Sequence, residues 1–430
     1  MHKSYIKVLF LSGLLVLTLG AALNYVVDPY GLYRWVELEG FNKLKPKSGP
    51  SGHLVKPYRL VELHPKTLIL GNSRAEVGFD PESPQWPAAF RPAFNMALPA
   101  SGIDTSVRSL QHSIAAGKPA LAVVGMDFFD FLSNDGPNNR RPGQPSEPSD
   151  FEKRLLINAD GSRNRSRTIQ SIKDHATVLF SLNALIDSLQ TIAMQHLPDQ
   201  ANLTALGFNP MHEYRRFVRV DGHHLMFRQV ETTYLTNYFR TMPTIYTKGS
   251  ASSPAFDELR MLIALCRASD IRLVLYIHPY HAHMLESYRI AGLWPPFEEW
   301  KRALVRIVDE NSASHSGVAP VELWDFSGYN EITVEPVPAV SDRGRSMRWY
   351  WEAGHYKREV GELALERILG GNSADRQATA SFGVRLTAQN IDRHLTAIRD
   401  GQRNYAEARR EEIAELEKLA QTIRARTRGK

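Results

Sequence analysis

Residues 66–74 read Lys-Thr-Leu-Ile-Leu-Gly-Asn-Ser-Arg. An apolar run this short, stopped by Gly-Asn, predicts a buried strand ending in a tight turn, with Ser73 at its carboxyl edge. The pattern recurs downstream. Phe94 to Ala97 reads as a second strand, followed by Pro99-Ala100-Ser101-Gly102 and a helix with apolar Val107, Leu110 and Ile114. Pro119 opens a third strand, Ala120 to Val124, which runs into Gly125-Met126-Asp127. A polar stretch rich in Pro, Asn, Gly and Ser over 133–165 reads as a loop or lid, 166–196 as helical, and 200–250 as aromatic and ambiguous. The alternation resumes with a helix over about 255–269 and a strand from Arg272 to Ile277 that ends at His278-Pro279-Tyr280-His281. Helices fill 282–312, Val321 to Phe326 is a further strand, and Gly354-His355 opens a helix carrying Val360, Leu363, Leu365 and Ile368. Unbroken apolar strands alternating with helices predict an α/β fold in three layers, a parallel sheet with helices on both faces.

The ends of the chain differ from this body. Val8 to Val27 holds no charged residue, behind Lys3 and Lys7. Twenty such residues suffice to cross a bilayer as a helix. Lysines before the run predict the N-terminus inside and the body translocated, so residues 1–27 read as a single-pass inner-membrane anchor. A cleaved signal peptide ending near Gly20-Ala21-Ala22 is the competing reading. Residues 28–65, with the Lys/Pro/Gly/Ser-rich KLKPKSGPSGH, read as a connector, 66–370 as the sheet domain and 371–430 as an amphipathic helical extension, packed on the domain or used for contact with a protein or membrane surface.

Of the 52 Lys+Arg and 46 Asp+Glu, residues 374–430 hold 12 and 8, and Lys3 and Lys7 add two cations, so residues 8–373 carry no net charge. The body thus offers no stripe for a polyanion, and nucleic acid is not an expected partner. The single cysteine, Cys266, allows no internal disulfide and reads as core.

Ligands of open α/β folds bind beyond the carboxyl ends of the strands, where Ser73 lies. Late in the chain, Trp349-Tyr350-Trp351-Glu352-Ala353-Gly354-His355-Tyr356 places a carboxylate three residues before an imidazole. Glu352 is able to hold the tautomer of His355, which in turn would deprotonate a serine hydroxyl. The three aromatic residues suit either sugar stacking or the core. His278, His281 and His283 form a His-x-x-His-x-His string, but no cysteine and no carboxylate cluster accompanies it, so substrate contact or capping is expected rather than a metal.

Gly71-Asn72-Ser73-Arg74 and Glu352-Ala353-Gly354-His355 in this order resemble the blocks of the SGNH hydrolase and acyltransferase superfamily, whose sheet is flavodoxin-like. The nearer likeness is to membrane-anchored envelope acyltransferases of alginate acetylation and teichoic-acid D-alanylation, over roughly residues 60–370. Glu352 stands where those families carry Asp. The resemblance implies Ser73 as nucleophile, His355 as base, Glu352 as its orienting carboxylate, and no cofactor. It also implies a periplasmic serine O-acyltransferase or esterase acting on an envelope glycan, with an acyl donor and a membrane-bound protein that delivers the acyl group. The oxyanion donors depart from the pattern, because Asp127 falls where the family has a donor Asn and would repel an oxyanion. Three readings stand: the Ser73 amide with Asn95 or Arg74 makes the hole, Asp127 turns away, or catalysis is weak. Asn72, Arg74, Asn95, Asp127, His278 and His281 are therefore the oxyanion and substrate candidates. A non-catalytic glycan-binding or assembly subunit is the alternative that Asp127 favours.

Overall fold

A computed structural model describes residues 2–132, 149–250, 252–313, 320–370 and 382–428. Its strands are β1 (Thr67–Leu70), β2 (Ala93–Asn95), β3 (Leu121–Met126), β4 (Arg272–Ile277), β5 (Glu322–Asp325), β6 (Tyr350–Glu352), β7 (His355–Tyr356) and β8 (Val384–Arg385). Its helices are α1 (His2–Val27), α2 (Gly52–Leu63), α3 (Ser73–Gly78), α4 (Ile103–Gly117), α5 (Asp150–Arg154), α6 (Ser166–Phe180) and α7 (Leu182–Ala193). They continue with α8 (Tyr214–Thr241), α9 (Pro254–Ala268), α10 (Ala282–Ile290), α11 (Trp294–Ala313), α12 (Arg358–Leu369), α13 (Ile391–Ala408) and α14 (Arg410–Arg428). The sheet runs β2-β1-β3-β4-β5-β8, parallel from β2 to β5, with β8 antiparallel at the edge. In register, Leu70 lies beside Val124 and Met126 beside Ile277. The strand order reverses between β1 and β3, and the crevice of such a fold opens at that point.

Alternation along the strands splits the core in two. Leu68, Leu70, Val124 and Leu275 pack with Val107 and Leu110 of α4, Ile263 and Cys266 of α9, and Trp300 of α11. Ile69, Val123 and Val274 face the other way, onto Val360, Ala364 and Leu365 of α12. There α12 rides directly on α3. A Cβ on Gly361 would lie 1.7 Å from the Gly78 carbonyl oxygen, and one on Gly78 would lie 2.0 Å from the Tyr356 ring.

Several stretches differ from the sequence reading. Gly354 and His355 do not open a helix. They sit in the β6–β7 hairpin, and α12 begins only at Arg358, because Lys357 is still extended. The stretch read as a connector carries α2, whose buried Lys56 donates to Glu76 of α3 at 2.8 Å. The segment beyond 370 returns to the sheet as β8. The helices read over 282–312 are present as two, divided where Gly292 takes φ +80 and Pro295-Pro296 starts the next. The ambiguous region is mostly α8, kinked at Gly222. Of the loop or lid read at 133–165, residues 133–148 lie outside the described residues, and 149–165 hold α5.

Helix α14 docks on α8 through Leu416, Ala420 and Ile423 against Leu235. Buried His283 of α10 joins them, donating to Glu231 of α8 at 2.6 Å and to Glu412 of α14 at 3.2 Å. Burial opposes charge on this imidazole, but the two carboxylates outweigh it and raise its pKa from 6.5 to about 9. The folded value lies above the unfolded one, so the contribution is complete below pH 6.5 and is lost as pH rises through about 9. The melting temperature of the wild-type protein is expected to fall across that window, and His283→Gln to remove that part of the slope. Identical slopes in both proteins would show that the staple carries no stability.

Candidate active site

The site is assembled from the ends of β1 and β3 and from the β6–β7 hairpin. Gly71, at φ +137, turns the chain sharply out of β1. Asn72 then caps α3, its side-chain oxygen accepting from the Arg74 amide at 3.0 Å. This turn leaves Ser73 on the first residue of the helix, half-buried at the sheet edge. Its amide has no acceptor among the described residues, as expected for the first turn of a helix.

Ser73 Oγ lies 2.8 Å from His355 Nε2. On the far side of the ring, Nδ1 is hydrogen-bonded to Glu352 Oε1, and the other carboxylate oxygen accepts from the Gly354 amide at 2.6 Å. The hairpin turn thus fixes the carboxylate, the carboxylate fixes the tautomer, and the free Nε2 faces the hydroxyl. This is the arrangement that activates a serine for attack on an acyl carbon. The extra methylene of Glu352, relative to Asp, reaches both the imidazole and the Gly354 amide.

Asp127 follows β3 and is fully buried. It does not face the serine as a bare anion. Its carboxylate is paired with Arg74 and accepts from Asn72 Nδ2 at 2.8 Å, Tyr280 Oη at 3.1 Å and the Phe129 amide at 3.0 Å. Burial alone would raise its pKa, but Arg74 and these donors hold it below the ordinary carboxylate value. Arg74 is equally committed, donating Nε to the Gly354 carbonyl at 2.7 Å and an Nη to Tyr234 Oη at 3.0 Å. One guanidinium therefore ties the nucleophile turn to the end of β3, to α8 and to the hairpin that carries Glu352 and His355.

The remaining candidates divide. Asn95 Nδ2 donates to the carbonyls of Ala75 and Phe79 at 2.9 and 2.8 Å, and its oxygen accepts from the Ala97 amide, so it braces α3 rather than facing substrate. His281 caps α10, accepting from the His283 amide and donating to the Glu335 carbonyl at 2.9 Å. His278 is buried beside Tyr356 Oη at 3.1 Å, and its pKa is lowered to about 3, mainly by burial. Tyr350 belongs to the core, donating to the Pro279 carbonyl. Trp351 lines a cavity of about 500 Å³ with Arg215, Arg219, Arg343, Lys357 and Arg358, against one carboxylate, Glu359. Three of these cations are paired, Arg215 and Arg219 with Asp199 and Arg358 with Asp80 and Glu362. Arg343 has no ion pair among the described residues, and Lys357 stands 4.4 Å over the Trp351 ring.

The chain matches no protein-family model and no curated protein.

Proposed function

We propose that the chain is a serine-dependent O-acyltransferase or esterase of the cell envelope. The continuous hydrogen-bonded relay from Glu352 through His355 to Ser73 carries this reading. In the first half-reaction, Ser73 Oγ attacks the donor carbonyl and its proton passes to His355 Nε2. The tetrahedral adduct collapses to acyl-Ser73, and the leaving group takes the proton from His355. In the second, an acceptor hydroxyl gives its proton to His355, attacks acyl-Ser73 and releases the serine, which recovers the proton. The resemblance of the Ser73 and His355 blocks to those of envelope acyltransferases supports transfer to a glycan over hydrolysis. Asp127, the residue that argues for a non-catalytic body, is neutralised by Arg74, and this supports the catalytic reading.

Lys3 through Val27 form a helix long and apolar enough to span a bilayer, which supports a single-pass anchor with the body outside the cytoplasm. The cavity beside the triad hairpin supports an acidic acceptor, since Arg343 and Lys357, which make no ion pair among the described residues, favour carboxylate or phosphate. The test uses full-length protein in lipid nanodiscs. A burst from an activated acetyl ester and labelling by a serine-directed phosphonate are expected, both lost in Ser73→Ala. Acetyl transfer to acidic oligosaccharides should exceed transfer to neutral ones by about tenfold, a difference of one ion pair. A folded wild-type protein that shows neither burst nor labelling would leave only a binding or assembly role.

A further inference from the structure

Helices α6 and α7 are built with their polarity reversed. Toward the body they turn Gln170, Asp174, Ser188 and Thr191 with the apolar Val178 and Ala184 among them, all buried; Asp174 accepts from Tyr58 at 2.8 Å and from Arg154. Outward they present Ile169, Ile172 and Phe180 on α6 and Leu182, Ile186 and Leu189 on α7, each between 45% and 75% exposed, with Lys173 the one charged side chain beside Ile169 on that face of α6, long enough to reach the headgroups. The spacings of three, four and eight residues put each set on one helical face. A helix at a water surface shows the opposite arrangement.

These helices also clasp the end of α1. Asn24 of α1 donates to the Leu179 carbonyl at 2.9 Å and accepts from Ser188 Oγ at 2.8 Å. Beyond it, Lys45 Nζ and Asn42 Nδ2 donate to the carbonyls of Val27 and Val26 at 2.9 and 2.8 Å, so α1 enters the body rigidly. Burial on α1 begins at Gly20, the residues before it being exposed.

Length then decides where α6 and α7 lie. The uncharged run Val8–Val27 gives about 30 Å of helix, the thickness of a hydrocarbon core. If the clasped part from Gly20 onward stood in water, only Val8 to Leu19 would remain, about 18 Å, too short to cross. The clasp must therefore sit at membrane depth. Tyr25, Tyr33 and Trp35 gather at the same end of α1, with ring centroids 4.9 and 6.3 Å from Tyr25, and Trp35 is 75% exposed. Such residues collect at the boundary between headgroups and acyl chains. Helices α6 and α7, bent 57° from one another, are each too short to span.

We propose that α6 and α7 form a wedge embedded in the leaflet on the body's side of the membrane, with their outer faces against lipid acyl chains and the aromatic group at the headgroups. The wedge fixes how the body stands on the bilayer, which a tether would not. It rests on the reading of α1 as a membrane span.

The test places single cysteines at Leu15, Ile172, Ile186 and Val340 of the full chain, each labelled with an environment-sensitive fluorophore, in vesicles containing lipids brominated along the acyl chain. Buried Cys266 is left in place. Ile172→Cys and Ile186→Cys labels are expected to lose about half or more of their emission, as at an interfacial depth of roughly 5–10 Å. The Leu15→Cys label should be quenched as well, and the Val340→Cys label should respond only to aqueous iodide. Quenching at Leu15 with iodide access at Ile172 and Ile186 would overturn the wedge and leave the anchor standing. Shielding of Ile172 and Ile186 from both quenchers, growing with protein density, would overturn it in favour of a second copy. No quenching at Leu15 would remove the anchor, and the wedge with it.

Discussion

His355→Ala is expected to slow acylation of Ser73 by about 10⁴-fold or more, because among the described residues His355 is the base hydrogen-bonded to the serine hydroxyl. Glu352→Gln should come close to this loss although it removes no volume. In the native hairpin one carboxylate oxygen accepts from the Gly354 amide and the other faces His355 Nδ1. Glutamine must keep its oxygen on the Gly354 amide, which turns its NH2 toward Nδ1. Nδ1 then has to accept, the ring proton moves to Nε2, and Nε2 no longer takes the proton of Ser73. Glu352→Asp keeps the charge but falls one methylene short of spanning both partners, so an intermediate loss of about 10–100-fold is expected. Single-turnover acylation by an activated ester, with phosphonate labelling as a second readout, measures all three. A Glu352→Gln enzyme within tenfold of wild type would show that the carboxylate does not set the tautomer.

Much of this architecture was legible in the chain, for identifiable reasons. The core strands β1, β3 and β4 are buried on both faces, so they read as unbroken apolar runs, and the Arg272–Ile277 strand was bounded to the residue. That Ser73, Glu352 and His355 come within hydrogen-bond distance was legible because a strand-ending Gly-Asn-Ser turn and a late carboxylate–imidazole pair are local features. What sequence could not show depends on partners far apart in the chain. Asp127 read as a repulsive anion because Arg74, 53 residues before it, was not known to cover it. Asn95 stood among the oxyanion candidates because its three backbone acceptors, the carbonyls of Ala75, Glu76 and Phe79 on α3 and at its end, are brought to it only by the fold. The polarity of α6 and α7 was hidden for a similar reason. Periodicity reports that one face is apolar, and only packing reveals that it is the outer one.

The buried Arg74–Asp127 pair makes a separate, testable contribution. Arg74→Met would leave Asp127 enclosed without its cation, at a cost of about 3–5 kcal/mol. Arg74→Lys should recover part of this, since a lysine supplies charge without the fork that reaches Gly354, Asp127 and Tyr234 together. The double variant Arg74→Met with Asp127→Leu separates stability from positioning. Removing both charges relieves the unpaired carboxylate, so denaturant unfolding should recover part of the lost stability, the remainder reflecting the Asn72, Tyr280 and Phe129 donors left without the Asp127 acceptor. Acylation should not return. The Gly354 carbonyl would still lack its donor, and the hairpin holding Glu352 and His355 would drift relative to Ser73, where a displacement of about 1 Å costs on the order of 10²-fold. A double variant that regains both stability and acylation rate would reduce Arg74 to a counter-ion for Asp127. One that regains stability alone would identify Arg74 as the strut that holds base and nucleophile in register.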